Sequence, residues 1–247
     1  MELQRAGVVD QVVVADESTD ETADIAASLG AEVYRQADLR PECGEVLGKG
    51  DAMWRALSVA RGDIVCFVDA DSEDFGPRLP CGLIGAVAFG GARFAKGAYR
   101  RPFRTGMSTD LTGGGRVTEL TAKPLMRALF PQLLAFRQPL SGEIAAEREL
   151  LERLPFATLY GVDIALLIDV WREIGLHEMA EVDLDVRQNR HRPLEQLAVM
   201  ADQVVAVMVA RAAQQTQEMA ELIERPALVS LQHREPTKRA SVLTAIS

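Results

Sequence analysis

The sequence predicts an α/β fold, a mostly parallel sheet with helices on both faces, and three observations predict it. The β-branched run Gln11-Val12-Val13-Val14-Ala15 ends at Asp16 and passes into the polar stretch 17–20, the pattern of a buried strand feeding a helix N-terminus. Asp63-Ile64-Val65-Cys66-Phe67-Val68, the most strand-like run in the chain, also ends on acids, at Asp69-Ala70-Asp71. Helical patterning separates such strands at the spacing of βαβ units. Ligands of these sheets sit at the carboxyl ends of the strands, where Asp16 and Asp69 stand.

The elements follow in order. Thr19 or Asp20 caps a helix over 21–29, Gly30 stops it, and residues 31–34 form the second strand. A looser segment with Pro and Gly, 36–50, precedes a helix at 51–60. Beyond Gly90 the pattern is less regular, with a strand at 93–96, an Arg-rich stretch at 100–104 and the triple glycine Gly113-Gly114-Gly115. Helices are expected at 117–129, 144–153, 161–174 and 194–213, with an alternating strand at 181–186. The tail from about Arg225 has no periodicity and is expected to fray or to pack against a partner.

Composition narrows the function classes. A chain of 247 residues with 48% hydrophobic content has room for one sizeable core or two lobes sharing one. Its net charge of −9 argues against nucleic-acid binding, so an anionic ligand needs a local basic pocket. Cys43, Cys66 and Cys81 are odd in number and lack zinc-ligand spacing, which suits a reducing compartment. The first residues lack the apolar run of a secretory signal, and no apolar stretch reaches the roughly 18 residues of a membrane span. The expectation is a cytoplasmic protein with no membrane or nucleic-acid partner.

Four segments carry candidate chemistry. Asp69-Ala70-Asp71 puts two carboxylates at a strand end, as a hard divalent cation bridging a diphosphate needs, or simply marks a turn. Gly48-Lys49-Gly50 offers backbone amides and one cation to a phosphate at a helix start, or forms a loop with a solvated lysine; the P-loop spacing is missing. The stretch 113–120 joins bare backbone to Arg116 and Thr118 before a helix, as an anion-binding turn or a hinge beside a cap. In 186–194, Arg187, Asn189, Arg190, His191 and Arg192 form a basic loop in an acidic protein. His191 is the best metal candidate among three histidines, or a surface residue of that loop. Asp163 opens an apolar helix as either a dipole-matched acid or a sugar-hydroxyl acceptor.

In order, the Asp-rich turn after the first strand, Gly48-Lys49-Gly50 with Trp54-Arg55, Asp69-Ala70-Asp71, Tyr99-Arg100-Arg101-Pro102, 113–120, Gln138-Pro139-Leu140-Ser141-Gly142-Glu143, Tyr160-Gly161-Val162-Asp163 and Arg190-His191-Arg192-Pro193-Leu194 resemble the glucosyl-3-phosphoglycerate and mannosyl-3-phosphoglycerate synthases, retaining GT-A glycosyltransferases. The match runs from about Val12 to Met208. The resemblance implies a GT-A fold, a Rossmann-like mixed sheet flanked by helices, with a helical C-terminal acceptor-binding part. Its divisions would be a nucleotide-sugar-binding part at 1–110, an acceptor-binding helical part at 111–224 and a tail at 225–247.

The resemblance also implies roles. Asp16, Ser18, Lys49, Asp69 and Ala70 would hold the nucleotide sugar, and Gly115, Arg116, Thr118 and Asn189 the phosphoglycerate. Asp163, where the family usually has glutamate, and Leu140 would stand at the reacting centre. Asp71 and His191 would bind Mg²⁺ or Mn²⁺, although the family loop has His and Asn exchanged, which leaves Asn189 as the alternative ligand. Imidazole favours His191. The family carries a further strand and helix ahead of the point where this chain starts, so an unfilled sheet position is expected. The implied reaction is transfer of glucose from UDP-glucose to 3-phosphoglycerate with retention, with GDP-mannose as the alternative donor. From other classes come a nucleotidyltransferase and a non-catalytic sugar-nucleotide-binding protein. Paired apolar helical faces suggest a homodimer.

Overall fold

The computed structural model describes residues 2–70, 76–101, 103–105, 108–110, 114–187, 193–213, 224–228 and 240–245. In chain order its elements are α1 (Glu2–Arg5), β1 (Gln11–Asp16), α2 (Thr22–Ser28), β2 (Glu32–Arg35), α3 (Lys49–Leu57), β3 (Ile64–Phe67), α4 (Arg78–Ala88), β4 (Phe94–Arg100), β5 (Phe103–Thr105), β6 (Ser108–Asp110), α5 (Lys123–Leu129), β7 (Ile144–Glu147), α6 (Arg148–Glu152), β8 (Phe156–Ala157), α7 (Val162–Ile174), β9 (Met179–Val186), α8 (Leu194–Ala213), β10 (Glu224–Arg225) and β11 (Ala240–Ala245).

Alternation along the strands sorts side chains into two cores and so sets the layers. Val65 and Phe67 of β3 enter the larger core, with Trp54 and Leu57 of α3 and Ile164 and Leu167 of α7. Cys66 enters the smaller core on the other face, with Leu83 and Ile84 of α4. Burial there pushes the Cys66 thiol well above its ordinary range, which leaves it inert. The seven strands run β2-β1-β11-β3-β7-β4-β9. All pairings are parallel except those of β7 with β3 and β4, so β7 alone runs against the rest. The carboxyl ends of β1, β3, β4 and β9 therefore share one edge with the chain entering β7.

The structure corrects four expectations. The described part of the tail is not frayed: β11 lies between β1 and β3, parallel to both, and Leu243 is fully buried. The expected unfilled sheet position is thus not found between these strands. Nearer the start of the tail, Arg225 donates to Asp51, the Trp54 indole donates to the Pro226 carbonyl at 2.7 Å, and Leu228 is buried. Second, the helix expected over 144–153 begins as β7, because Ile144, Ala145 and Ala146 are buried on both faces and so lack alternation. Third, α4 was not anticipated; Pro80, Gly82 and Gly85 mask its helical period. Fourth, α8 is long and apolar enough by length and composition to cross a membrane, contrary to the expectation that no apolar stretch reaches that length. It docks onto the larger core through Val204, Val207 and Met208, and Arg211 forms a buried ion network with Asp169 of α7 and Glu224 of β10. Because β7 and β9 join the sheet of β1–β4, no sheet boundary falls at residue 110.

Candidate active site

Three charged side chains from distant parts of the sequence meet at the shared edge. Lys49 is the first residue of α3, Asp69 follows β3, and Asp163 lies in the first turn of α7. The Lys49 Nζ stands 3.0 Å from Asp69 Oδ1 and 3.0 Å from Asp163 Oδ2. Close packing fixes this meeting. A Cβ on Gly50 would fall 1.7 Å from the Ala157 carbonyl oxygen, so only glycine lets α3 lie against β8. The Asp51 amide donates to the Thr158 carbonyl at 3.0 Å, and Asp51 Oδ2 accepts from the Leu47 amide at 2.8 Å. Gly50 is buried and the Asp51 amide is taken by Thr158, and the Gly48-Lys49-Gly50 segment brings the Lys49 side chain to the cluster.

Gly142 roofs the cluster. A Cβ there would lie 2.5 Å from both Asp69 Oδ2 and Lys49 Nζ, so the 138–143 turn approaches the ion pair as only glycine allows. Lys96, on β4 and 1% exposed, holds that turn from below by donating to the Ser141 carbonyl at 2.7 Å and the Asp163 carbonyl at 3.3 Å. Leu140, expected at the reacting centre, is partly buried and packs on the larger core.

Burial opposes charge on each of these groups, and the neighbours decide the outcome. For Lys49, the Asp163 and Asp69 carboxylates outweigh burial and hold the ammonium above its ordinary range. Burial would raise Asp69, but Lys49, Arg187 and Arg101 outweigh it and keep the carboxyl below its usual value. Burial prevails for Asp163, whose carboxyl is raised despite Lys49 and Lys96. Among the described residues Lys96 has only carbonyl acceptors within hydrogen-bond reach, and burial brings it down to about 8 against the pull of Asp163.

Beside this cluster lies a basic one. Arg101 and Arg187 stack on the Tyr99 ring, with guanidinium carbons 5.0 and 5.3 Å from its centroid. Arg101 Nη2 donates to the Tyr99 hydroxyl at 2.7 Å. Arg187, 4% exposed, pairs with fully buried Glu143, which also accepts from Ser141 Oγ at 2.8 Å. Tyr99 and Arg187 line a cleft of about 170 Å³ with Arg78, Leu79 and Leu184.

The remaining sequence candidates divide. Asp16, 4% exposed, accepts at Oδ1 from the Ser18 amide and hydroxyl at 3.2 and 2.7 Å, which shapes the turn after β1 at the same edge. Ala70 is exposed beyond Asp69. Gly115 has φ 76°, Arg116 is half-buried, and Thr118 is 3% exposed at the start of a π-type turn, Thr118–Ala122. Asp71, Asn189 and His191 lie outside the described residues. Among the described residues, no three His, Cys, Asp or Glu side chains cluster as a metal site. Sequence reasoning missed Lys96 and the partnership of Tyr99 with Arg101 and Arg187. The available signal was a lysine inside β4, whose first six residues are all buried.

Residues 4–108 match the family described as Glycosyl transferase family 2. The chain is 45% identical over 207 residues to the glucosyl-3-phosphoglycerate synthase of Mycolicibacterium smegmatis, covering 83% of this chain and 68% of that protein. It spans about two thirds of the length of such curated relatives, 64% for the synthase of Mycolicibacterium paratuberculosis. The mannosyl-3-phosphoglycerate synthase structure from Rubrobacter xylanophilus superposes with a TM-score of 0.83 at 43% identity, covering 94% of this chain and 83% of that one. The glucosyl-3-phosphoglycerate synthase of Mycobacterium tuberculosis, solved with Mn²⁺, UDP-glucose and phosphoglyceric acid, gives 0.78 at 39% identity, with 90% and 79% covered. On this identity and coverage, the chain belongs to the glucosyl- and mannosyl-3-phosphoglycerate synthase family of GT-A glycosyltransferases.

Proposed function

We propose that the protein transfers glucose from UDP-glucose to the hydroxyl of 3-phosphoglycerate with retention at the anomeric carbon. The observation that carries the reading is the Lys49–Asp69–Asp163 cluster under Gly142, at the sheet edge where α/β folds bind nucleotides. Lys49 brings a fixed positive charge to a diphosphate. Asp69 and Asp163, on either side of its ammonium, offer acceptor oxygens to donor hydroxyls. Lys96 holds Ser141 and Asp163 in register beneath them. Gly115, Arg116 and Thr118 take the acceptor, with Asn189 assigned to it from the sequence. In the balanced step, the acceptor oxygen bonds to the anomeric carbon and the bond to the diphosphate breaks. UDP departs, and the hydroxyl proton leaves with a phosphate oxygen.

The residues present fit a divalent cation: the strand end after β3 is acidic, Asp69 is held ionised, and exposed Ala70 leads to Asp71. Asp71 and His191 would hold Mg²⁺ or Mn²⁺, which when bound supplies charge stabilisation to the departing diphosphate. The structural likeness to a mannosyl-3-phosphoglycerate synthase supports GDP-mannose as the second reading of the donor. The protein is further assigned to the cytoplasm, with neither nucleic acid nor membrane as partner, and as a homodimer; exposed Leu194, Val199 and Val205 on α8 give such a pair apolar surface to cover.

The test is release of nucleoside diphosphate by purified protein with 3-phosphoglycerate, Mg²⁺ and either donor, beside Asp71→Ala. Release from UDP-glucose that needs both the acceptor and Asp71 is expected. Release of pyrophosphate would point to a nucleotidyltransferase, and silence from folded protein with both donors would contradict the reading.

A further inference from the structure

3-Phosphoglycerate carries two anionic groups, and the proposed function assigns one of them to the Gly115–Thr118 turn. Its only hydroxyl is on C2, directly beside the carboxylate carbon, whereas the phosphate hangs from C3. The carboxylate carbon is bonded directly to the hydroxyl-bearing C2, whereas the phosphorus stands two bonds further along the chain. A cation between the Asp69–Asp163 cluster and the turn is suited to that carboxylate.

Arg101 occupies this place. Its Cδ lies 3.8 Å from the point where a Cβ of Gly115 would stand, and Thr118 Oγ1 lies 3.9 Å from the same point, so both side chains stand beside the bare backbone of Gly115. The Gly114 amide donates to the Arg101 carbonyl at 3.0 Å, which ties the turn to the end of β4. On its other side, Arg101 is in electrostatic reach of Asp69 and Asp163. Neighbouring cations are committed: Arg100 pairs with Asp185, and Arg187 with Glu143. Among the described residues, Arg101 has no carboxylate at ion-pair distance, and its Nε is buried without a hydrogen-bond partner. Tyr99 takes one donor of the fork and fixes its plane.

We infer that Arg101, oriented by Tyr99, is the specificity-determining residue that grips the acceptor carboxylate, while Gly115, Arg116 and Thr118 take the phosphate. The inference rests on the proposed function. It gives the enzyme a means to tell 3-phosphoglycerate from glycerol 3-phosphate, which keeps the phosphate and a central hydroxyl but has no carboxylate.

The experiment measures binding of UDP-glucose, 3-phosphoglycerate and glycerol 3-phosphate by calorimetry, with Mg²⁺ present, in the wild-type chain, Arg101→Met and Arg101→Gln. Gln keeps a donor for Tyr99 and serves where Met does not fold. A charge-assisted hydrogen bond to a carboxylate predicts that either variant weakens 3-phosphoglycerate on the order of 10- to 100-fold. The expected result is a collapsed preference for 3-phosphoglycerate over glycerol 3-phosphate with UDP-glucose binding intact. Equal weakening of both acceptors, or an unchanged preference, would overturn the inference while leaving the proposed function standing. Wild-type protein that binds UDP-glucose but neither acceptor would overturn both.

Discussion

Replacing Lys49 by Met keeps most of the side-chain volume and removes the one charge shared by two carboxylates. At an effective dielectric constant of about 20, each 3.0 Å contact represents about 5 kcal/mol of attraction, most of it offset by desolvation of the ions. What remains after the substitution is two acids without their shared ion-pair partner, Asp163 at 10% exposure and Asp69 at 30%, and breaking a buried pair typically costs about 3–5 kcal/mol. The loss should depend on pH. The Asp163 carboxyl is already raised in the fold, and without Lys49 it rises further. A raised carboxyl adds stability at low pH that is lost as pH climbs through its folded value, so the deficit of Lys49→Met grows on going from about pH 4.5 to about pH 8. Urea denaturation of both proteins at the two pH values reads it out: a deficit of about 3–5 kcal/mol near pH 8, smaller by at least about 1 kcal/mol near pH 4.5. An equal deficit at both, or a Met variant as stable as the parent, would refute the shared-charge account.

Three further outcomes follow from the geometry. Gly142→Ala drives a methyl into Asp69 and Lys49 and should cost about 1–3 kcal/mol in urea unfolding, with a lower kcat/KM for the donor. Lys96 titrates near 8 when folded, so between about pH 8 and pH 10 the unfolded chain binds more protons; the stability of the parent should rise over that window by about 1–2 kcal/mol relative to Lys96→Met, and parallel curves would exclude the assignment. Leu243→Ala should lose about 2–5 kcal/mol if β11 is a central strand, whereas a frayed tail would give no change in urea midpoint.

Much of the frame was legible because the alternating and β-branched runs at β1, β3 and β9 are long enough to show their period, and each of the first two ends on an aspartate. Asp69, Lys49 and Asp163 were found from separate local patterns, since a strand end and two helix starts each announce themselves. Their convergence on a single ammonium was not legible, because it depends on Gly50 against Ala157 and Gly142 against Asp69, contacts between segments far apart in the chain. Two-sided burial hid β7 as a helix and Lys96 as an ordinary strand residue. β11 escaped notice because six residues without strict alternation become a strand only when β1 and β3 offer hydrogen bonds on both sides. Arg101 was seen as one of an Arg-rich stretch; only Tyr99, Gly114 and the paired states of Arg100 and Arg187 set it apart.

The central claim is tested most directly by proton NMR of the product formed from UDP-glucose, 3-phosphoglycerate and Mg²⁺ by the purified chain. A single new α-anomeric signal, growing in step with UDP and absent without 3-phosphoglycerate, is the predicted result. A β-anomer, free glucose in place of a conjugate, or no new anomeric signal from folded protein would contradict it.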